Sequence, residues 1–348
     1  RMIREKKELY ESARKQETDW FYDWQTYNLW TAPFFADFTA KNKRKIPTSE
    51  TLWDFMESRS RVRADVVGYA DSLSWRNRFF HWPLEFPDVF ERGGFDVVLC
   101  NPPWERIKLQ EKEFFANRAP EIANAPNRAA RRRLIRKLPD QNLELYEEYR
   151  EALHAADSLS RFLRQSGLFP LTARGDINTY QVFAGLFTKL IKPDGRAGAV
   201  LPTGIATNKT TEDFFSHIAE NKLISLFDFA NTEKIFPAVD SNMKFCLLTI
   251  VGSQAQKSEA YFVFFATRID HLRDEHRRFT LTNKDFRLIN PNTQTCPIFR
   301  TQYDAELTKK IYRRVPVLIN ETTGENPWGI SFLAMFHMSN DSHLFRTQ

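Results

Sequence analysis

Glycine is scarce in this chain, 12 among 348 residues, and no two glycines flank a single residue. Without a G-x-G turn there is no Gly-rich loop of the kind that cradles a dinucleotide, and a P-loop is missing as well, so ATP hydrolysis within this chain is unsupported. A G-x-S-x-G elbow is also lacking, which removes the motif that a Ser-His-Asp hydrolase of the α/β type needs. No nuclease motif of the Pro-Asp…Glu-x-Lys kind stands out. Cysteine is limited to Cys100, Cys246 and Cys296. They are too scattered for a disulfide framework or a zinc site and are expected to be small core residues of a reduced, cytoplasmic protein. No apolar run reaches the roughly 18 residues of a membrane helix, and no signal peptide is visible, so neither a membrane span nor secretion is supported.

Apolar residues are nevertheless plentiful, 42% of the chain with 14% aromatic, enough for one large or two ordinary packed domains. The most informative stretch is Phe95 to Trp104, which reads FDVVLCNPPW. Its first six residues are apolar apart from Asp96, short and β-rich, as expected for a strand buried on both faces of a parallel sheet. Pro102 and Pro103 then forbid the strand to continue and fix the backbone at its carboxyl end, where open α/β sheets place their ligands. The corner presents an amide, free carbonyls and a large aromatic face. The Asn101 side-chain oxygen and the Pro102 carbonyl can each accept one N–H of an amino group attached to an aromatic ring. Holding both protons draws that nitrogen towards a tetrahedral state and frees its lone pair, while Trp104 stacks on the ring. A strand ending in a plain Pro-Pro turn with a half-buried Trp would carry the same residues.

The parts that follow come in a definite order. An amphipathic helix from Asn178 (Tyr180, Phe183, Leu186, Phe187, Leu190, Ile191) ends at Lys-Pro-Asp-Gly and feeds a strand over 196–202. A helix at about 210–221, a strand from Leu223 to Phe229, a segment reading EKIFPAV from Glu233, and a last strand from Met243 to Val251 complete the series. Together with NPPW and the upstream FFHWPLEFPDVF from Phe79, this order resembles the second half of N6-adenine-specific DNA methyltransferases of the NPPY/W type. It resembles in particular the methylase domains of combined restriction-modification and phage-defence enzymes. The resemblance is specific over residues 79–252 and looser elsewhere. It implies an α/β fold, part of a class I, Rossmann-like, S-adenosylmethionine-dependent methyltransferase sheet with helical insertions. That family holds S-adenosylmethionine in a Gly-rich turn before the NPPW strand, yet only Gly68, Gly93 and Gly94 precede it here. The chain therefore reads as an internal fragment of a larger enzyme, lacking the first three strands and the main cofactor loop, and inactive alone.

Roles implied by the resemblance fall on particular residues. Asn101, Pro102, Pro103 and Trp104 match the catalytic tetrapeptide, with Trp104 stacking on the target base and Phe236 of Ile-Phe-Pro placed as a second aromatic against it. Phe183 matches a position lining the cofactor's adenine pocket. His81 and Trp82 occupy the place of an acidic-aromatic pair at the same ring, although the family more often has Asp where His81 stands. Core packing accounts equally well for Phe183 on its helical stripe, and remains open for Phe236. The target adenine must leave the duplex, at a cost of a few kcal/mol that stacking largely offsets. This chemistry needs no metal, and His337 and His343 lack further ligands at zinc-like spacing.

Three regions are expected: 1–78 mainly helical, 79–252 the catalytic half with a helical insertion at 105–175, and 253–348 leading to a target-recognition region. In the first, Trp20, Phe21, Trp24, Tyr27, Trp30, Phe34 and Phe35 recur at helical intervals that suggest buried faces. A net charge of +6 agrees with double-stranded DNA as a partner, beside the remainder of a parent polypeptide. Arg128, Arg131, Arg132, Arg133 and Arg136, with Lys137, lie in a helix starting near Pro126 and are candidates for the DNA backbone, in competition with plain solvation. A second helix after Pro139 carries a core-facing stripe of Leu143, Tyr146, Tyr149, Leu153 and Ala156. Other readings are a cytosine-N4 or protein-glutamine methyltransferase, whose amide also offers two N–H bonds, and a non-catalytic DNA-binding or specificity module that has kept the fold.

Overall fold

The structure, a computed structural model, describes residues 11–12, 14–15, 18–255 and 257–346. Three helices come first: α1 (Asp19–Phe35), α2 (Ser49–Glu57) and α3 (Ala64–Asn77). The first two begin at threonines whose hydroxyls accept a backbone N–H two or three residues into the helix, Thr18 from Phe21 and Thr48 from Thr51, each at 3.2 Å. Leu29, Ala32, Phe55, Val66, Ala70 and Leu73 close a small core between them. Of the aromatics expected inside, Trp24 and Phe35 are buried but Tyr27 and Trp30 are exposed. A three-helix bundle offers each helix one inward face, and that face is filled by Leu29 and Ala32 on α1.

Two short turns, α4 (Trp82–Glu85) and α5 (Pro87–Glu91), lead through Gly93 and Gly94 into β1 (Phe95–Cys100). Gly94 has φ +124°, and a Cβ there would stand 2.5 Å from the Leu190 carbonyl oxygen, so the chain can enter the sheet here only without a side chain. After β1 comes a helical excursion of α6 (Glu111–Ala116), α7 (Pro120–Ala123), α8 (Arg128–Gln141) and α9 (Leu143–Gln165). Its core is Phe115, Ile122, Ile135, Leu138, Leu145 and Tyr149. Leu143, expected in the inward stripe, is 58% exposed. Asn142 caps a fresh helix by accepting from Leu145 N at 3.0 Å, and the phase set by Tyr149 puts Leu145 inside instead.

The chain then returns through α10 (Thr179–Leu190) to β2 (Ile191–Pro202), α11 (Gly204–Thr207), α12 (Glu212–Asn221), β3 (Leu223–Ala230), β4 (Lys244–Val251), β5 (Glu259–Ala266), β6 (Phe279–Thr282), α13 (Asn283–Ile289) and α14 (Gln302–Arg314). The six strands form one mixed sheet in the order β1-β2-β4-β3-β5-β6, with β4 and β6 antiparallel to their neighbours and the rest parallel to one another. The α/β class expected from the sequence is the class observed. Strand β2 starts earlier than expected, at Ile191. Its pairing with β1 skips from Ile191 opposite Phe95 to Arg196 opposite Val97, so Lys-Pro-Asp-Gly bulges out of the ladder. The sheet also runs on past Val251, since β5 pairs with β3 and β6 with β5, and Phe262, Phe264, Phe279 and Phe286 extend the main core beneath them.

The strand carrying the NPPW corner departs most from expectation. It was expected to be buried on both faces, but β1 pairs with β2 alone and is an edge. Val98 and Cys100 pack against the main core, while Val97 and Leu99 on the other face are 66% and 86% exposed. A run this apolar is buried only when layers cover both faces; here α4 and α5 cover Phe95, and among the described residues no element pairs with the outer edge of the strand. Asp96, the charged residue within the run, pairs with Lys192 of β2.

Candidate active site at the carboxyl edge of the sheet

The parallel strands β1, β2 and β3 all end on one side of the sheet, at Asn101, Thr203 and Asn231, and β4 begins there at Lys244. The corner after β1 is held by the start of α10. The Thr179 hydroxyl donates to the Pro103 carbonyl at 2.6 Å and accepts from Glu105 N at 2.9 Å, and Thr179 N donates to the Glu105 carbonyl at 2.9 Å. Two residues further, Ile107 N reaches the Ile177 carbonyl at 3.1 Å. This anchoring consumes the Pro103 carbonyl. It leaves the exposed Asn101 amide and the Pro102 carbonyl with no hydrogen-bond partner among the described residues.

Trp104 is half-buried and touches both the main core and a second cluster of Phe229, Phe245, Val263 and Ala266. Its indole Nε1 is buried without a partner. Phe236 packs on the same second cluster, its ring 4.9 Å from that of Phe245 at 65°. The two aromatics assigned to the target base thus share one hydrophobic cluster. Phe183 lies elsewhere, packed on the main core with its ring 6.2 Å from Phe187.

His81 and Trp82 line a different cavity of about 710 Å³ between α1, α9 and α10, together with Tyr27, Trp30, Phe162 and Leu186. Phe183 is not in its wall, so the three residues assigned to a cofactor ring are not brought together. Within that cavity His81 stacks on Tyr27 at 5.1 Å and its Nε2 lies 3.1 Å from Asn28 Oδ1. Asn28 donates onward to Asp71 at 3.1 Å, and Gln25 donates to the other Asp71 oxygen at 2.8 Å. Burial lowers the His81 pKa to about 4, and burial raises that of Asp71. Neutral His81 is therefore the donor to Asn28.

Two residues that sequence reasoning missed build the loop edge. Asn231, 0% exposed, donates from Nδ2 to the Phe236 and Val239 carbonyls at 3.0 Å, while its Oδ1 accepts from Phe236 N at 3.0 Å, so one buried amide shapes the turn that presents Phe236. Asp228 is also buried; it accepts from the Thr203 hydroxyl and, at 3.0 Å, from Phe265 N. Phe265 has φ +58°, a strained value for a bulky residue, and that hydrogen bond helps hold it. A short polar residue at the very end of a buried strand is the signal that could have found both.

The basic helix α8 divides by face. Arg131 turns inward and donates to the Ile122 and Ala123 carbonyls, both at 3.2 Å, closing the end of α7. Arg128, Arg132, Arg133 and Arg136 are exposed and form no ion pair among the described residues. Among the described residues there is no group of three or more His, Cys, Asp or Glu able to hold a metal and no helix long and apolar enough to cross a membrane. The Cys246 and Cys296 thiols are buried, which pushes their pKa values up and makes them core residues.

S-adenosylmethionine, which a methyltransferase sheet implies, is not matched by the residues present. A cradle needs backbone N–H groups of a glycine turn facing the Asn101 end of the sheet. Gly93 and Gly94 lie at the opposite end of β1 and Gly68 sits inside α3.

The site is thus an Asn-Pro-Pro-Trp corner at the carboxyl end of an edge strand of a mixed α/β sheet, tethered by Thr179. Residues 7–131 match the family model of the Eco57I restriction-modification methylase. No curated protein matches. Among solved structures the chain is similar to a nuclease-deletion mutant of the Type ISP restriction-modification enzyme LlaGI, at 13% identity over 61% of this chain and 15% of that one, with a TM-score of 0.28. It is also similar to the DrdV–DNA complex at 12% identity, 67% and 19% coverage and a TM-score of 0.29. A methyltransferase subunit of a type I restriction-modification system from Streptococcus thermophilus matches at 12% identity, 66% and 45% coverage and a TM-score of 0.34. The chain thus spans less than half the length of each of these three.

Proposed function

We propose that this chain carries the target-base half of a DNA methyltransferase of the restriction-modification type, acting on the N6 amino group of an adenine swung out of the duplex. The observation that carries the reading is the tethered corner. Thr179 occupies the Pro103 carbonyl, so the exposed Asn101 amide and the carbonyl of buried Pro102 remain the two acceptors without a partner, among the described residues, at the carboxyl end of β1. An exocyclic amine held by both loses conjugation with its ring, and its lone pair becomes the nucleophile. Trp104 and Phe236, on one cluster, supply faces for the extruded base. The family match over residues 7–131 points to DNA as the substrate class and away from a protein glutamine.

The methyl group in such enzymes comes from S-adenosylmethionine, whose cradle these residues do not form, and the chain's own contribution is to bind and activate the acceptor. Asn101→Ala is expected to remove methyl transfer to a DNA duplex by at least about 100-fold in the polypeptide that contains this chain, because it removes a bond strongest in the transition state. Thermal unfolding and DNA affinity should stay near the parent's. Undiminished turnover in Asn101→Ala would end the assignment.

A further inference from the structure

Beside the corner runs a trench that none of the roles above accounts for. A cleft of about 880 Å³ lies between Trp104, the 105–110 segment and helices α6 and α9. It shares Arg106, Lys108, Leu109 and Gln110 with a second cleft of about 300 Å³ that extends to Lys112 and Arg128. The two are one path from the indole of Trp104 to the start of α8. Arg106, Lys108, Lys112 and Arg128 are all exposed along it, and none has an ion-pair partner among the described residues.

Helix geometry continues the path. Ile135 and Leu138 are buried and Arg131 is tied to α7, which fixes the inward face of α8. At 100° per residue Arg128, Arg132 and Arg136 lie about 50°, 90° and 130° round from the centre of that face, a row that winds from its flank towards the back of the helix, whereas Arg133 lies about 170° from it. Four residues of helix advance about 6 Å, close to the rise of two nucleotides on one strand. The acids of the trench are Glu105 and Glu113 near Trp104 and Glu111 and Asp176 further out. Near the corner they balance Arg106 and Lys108, and the excess of positive charge grows towards α8.

Resting on the reading of the corner as a base-binding site, we propose that Arg106, Lys108, Lys112, Arg128, Arg132 and Arg136 form a track for the phosphodiester backbone of the strand whose base enters at Trp104. The path is neutral where the uncharged base sits and positive where its flanking phosphates run. Of the same basic helix, Arg131 lines the second cleft but its guanidinium is tied to the end of α7, and Arg133 faces water, so neither is assigned to the track.

The test is the salt dependence of duplex DNA binding, measured by fluorescence anisotropy on the full chain, for R128Q/R132Q/R136Q and for the control R133Q/K137Q. Both variants change exposed residues, and circular dichroism verifies their fold. The track predicts that the slope of log K against log salt falls by about 2.7 in the triple variant, about 0.9 per phosphate lost, and changes by less than about 0.5 in the control. Equal losses in the two variants, or none in the triple variant, would overturn the track and show the helix to be a diffuse charge; so would a wild-type chain that does not bind duplex DNA. The corner is judged separately by Asn101→Ala, so the track can fail while the base-binding reading stands, and the reverse.

Discussion

A neutral histidine at the joint between the first bundle and the sheet makes the fold acid-sensitive by a calculable amount. His81 titrates at 6.5 when exposed and at about 4 in the folded chain, where burial disfavours the imidazolium and Asn28 accepts from the neutral ring. The folded pKa is the lower one, so the unfolded chain binds the extra proton as pH falls below 6.5. Stability from this group is complete above that value, is lost between 6.5 and about 4, and changes no further below. Linkage over the two values gives a loss of about 2 kcal/mol between pH 7.5 and pH 5, towards a limit of roughly 3 kcal/mol. Asp71, two hydrogen bonds away, works in the other direction, because burial raises its pKa and its protonated form is favoured on folding. Comparing wild type with His81→Gln removes that term, since Gln can still donate to Asn28 but does not titrate. Urea unfolding of both proteins at pH 7.5 and pH 5 should show wild type losing about 2 kcal/mol more than the variant. Parallel losses in the two would mean that His81 is solvated in the folded chain and that the Asn28 contact is not formed.

Two further outcomes are expected. Gly94→Ala places a methyl group against the Leu190 carbonyl at a backbone angle that L residues avoid, and should lower stability by at least about 2 kcal/mol in chemical denaturation; an unchanged midpoint would mean that the turn into β1 is not the one described. Trp104→Phe deletes an indole N–H that is buried without a partner and keeps an aromatic face, so it should leave stability within about 1 kcal/mol of wild type, whereas Trp104→Ala should weaken capture of a fluorescent adenine analogue by about 1 to 3 kcal/mol. An Ala variant that captures the analogue as wild type does would make Trp104 a packing residue only.

What the sequence revealed of this molecule is what short-range chemistry controls. The NPPW corner is legible because two prolines fix a backbone regardless of their surroundings, and the passage from α10 to β2 because the apolar period changes there from 3.6 to 2 within a few residues. Properties set by neighbours remote in sequence were not legible. Five arginines in one helix read alike until the burial of Ile135 and Leu138 decides which flank is inward, and only then does Arg131 become a cap and Arg133 a bystander. His81 and Phe183, about a hundred residues apart, could be set at one ring on paper, but the packing of α1 against α9 and α10 draws His81 into a separate cavity. Asp228 could be suspected from its place near the end of a buried strand, but its bond to Phe265, remote in sequence, could not.

The burial of β1 belongs to the same class and bears on how the corner works. Sequence alone gives an apolar strand, and apolar strands are ordinarily covered on both faces. Here Leu99 stands 86% exposed and the outer edge of the strand offers its backbone groups to water. Asn101 is therefore positioned from one side only, through the ladder to β2 and through Thr179 beneath the turn. Unpaired strand edges are where sheets extend. Leu99 and the unpaired edge of β1 lie within two residues of Asn101, so among the described residues the corner stands at a boundary of the sheet. Under the proposed function Asn101 and Pro102 would hold the target amine from the β2 side of that boundary, and the Thr179 tether is what fixes them there.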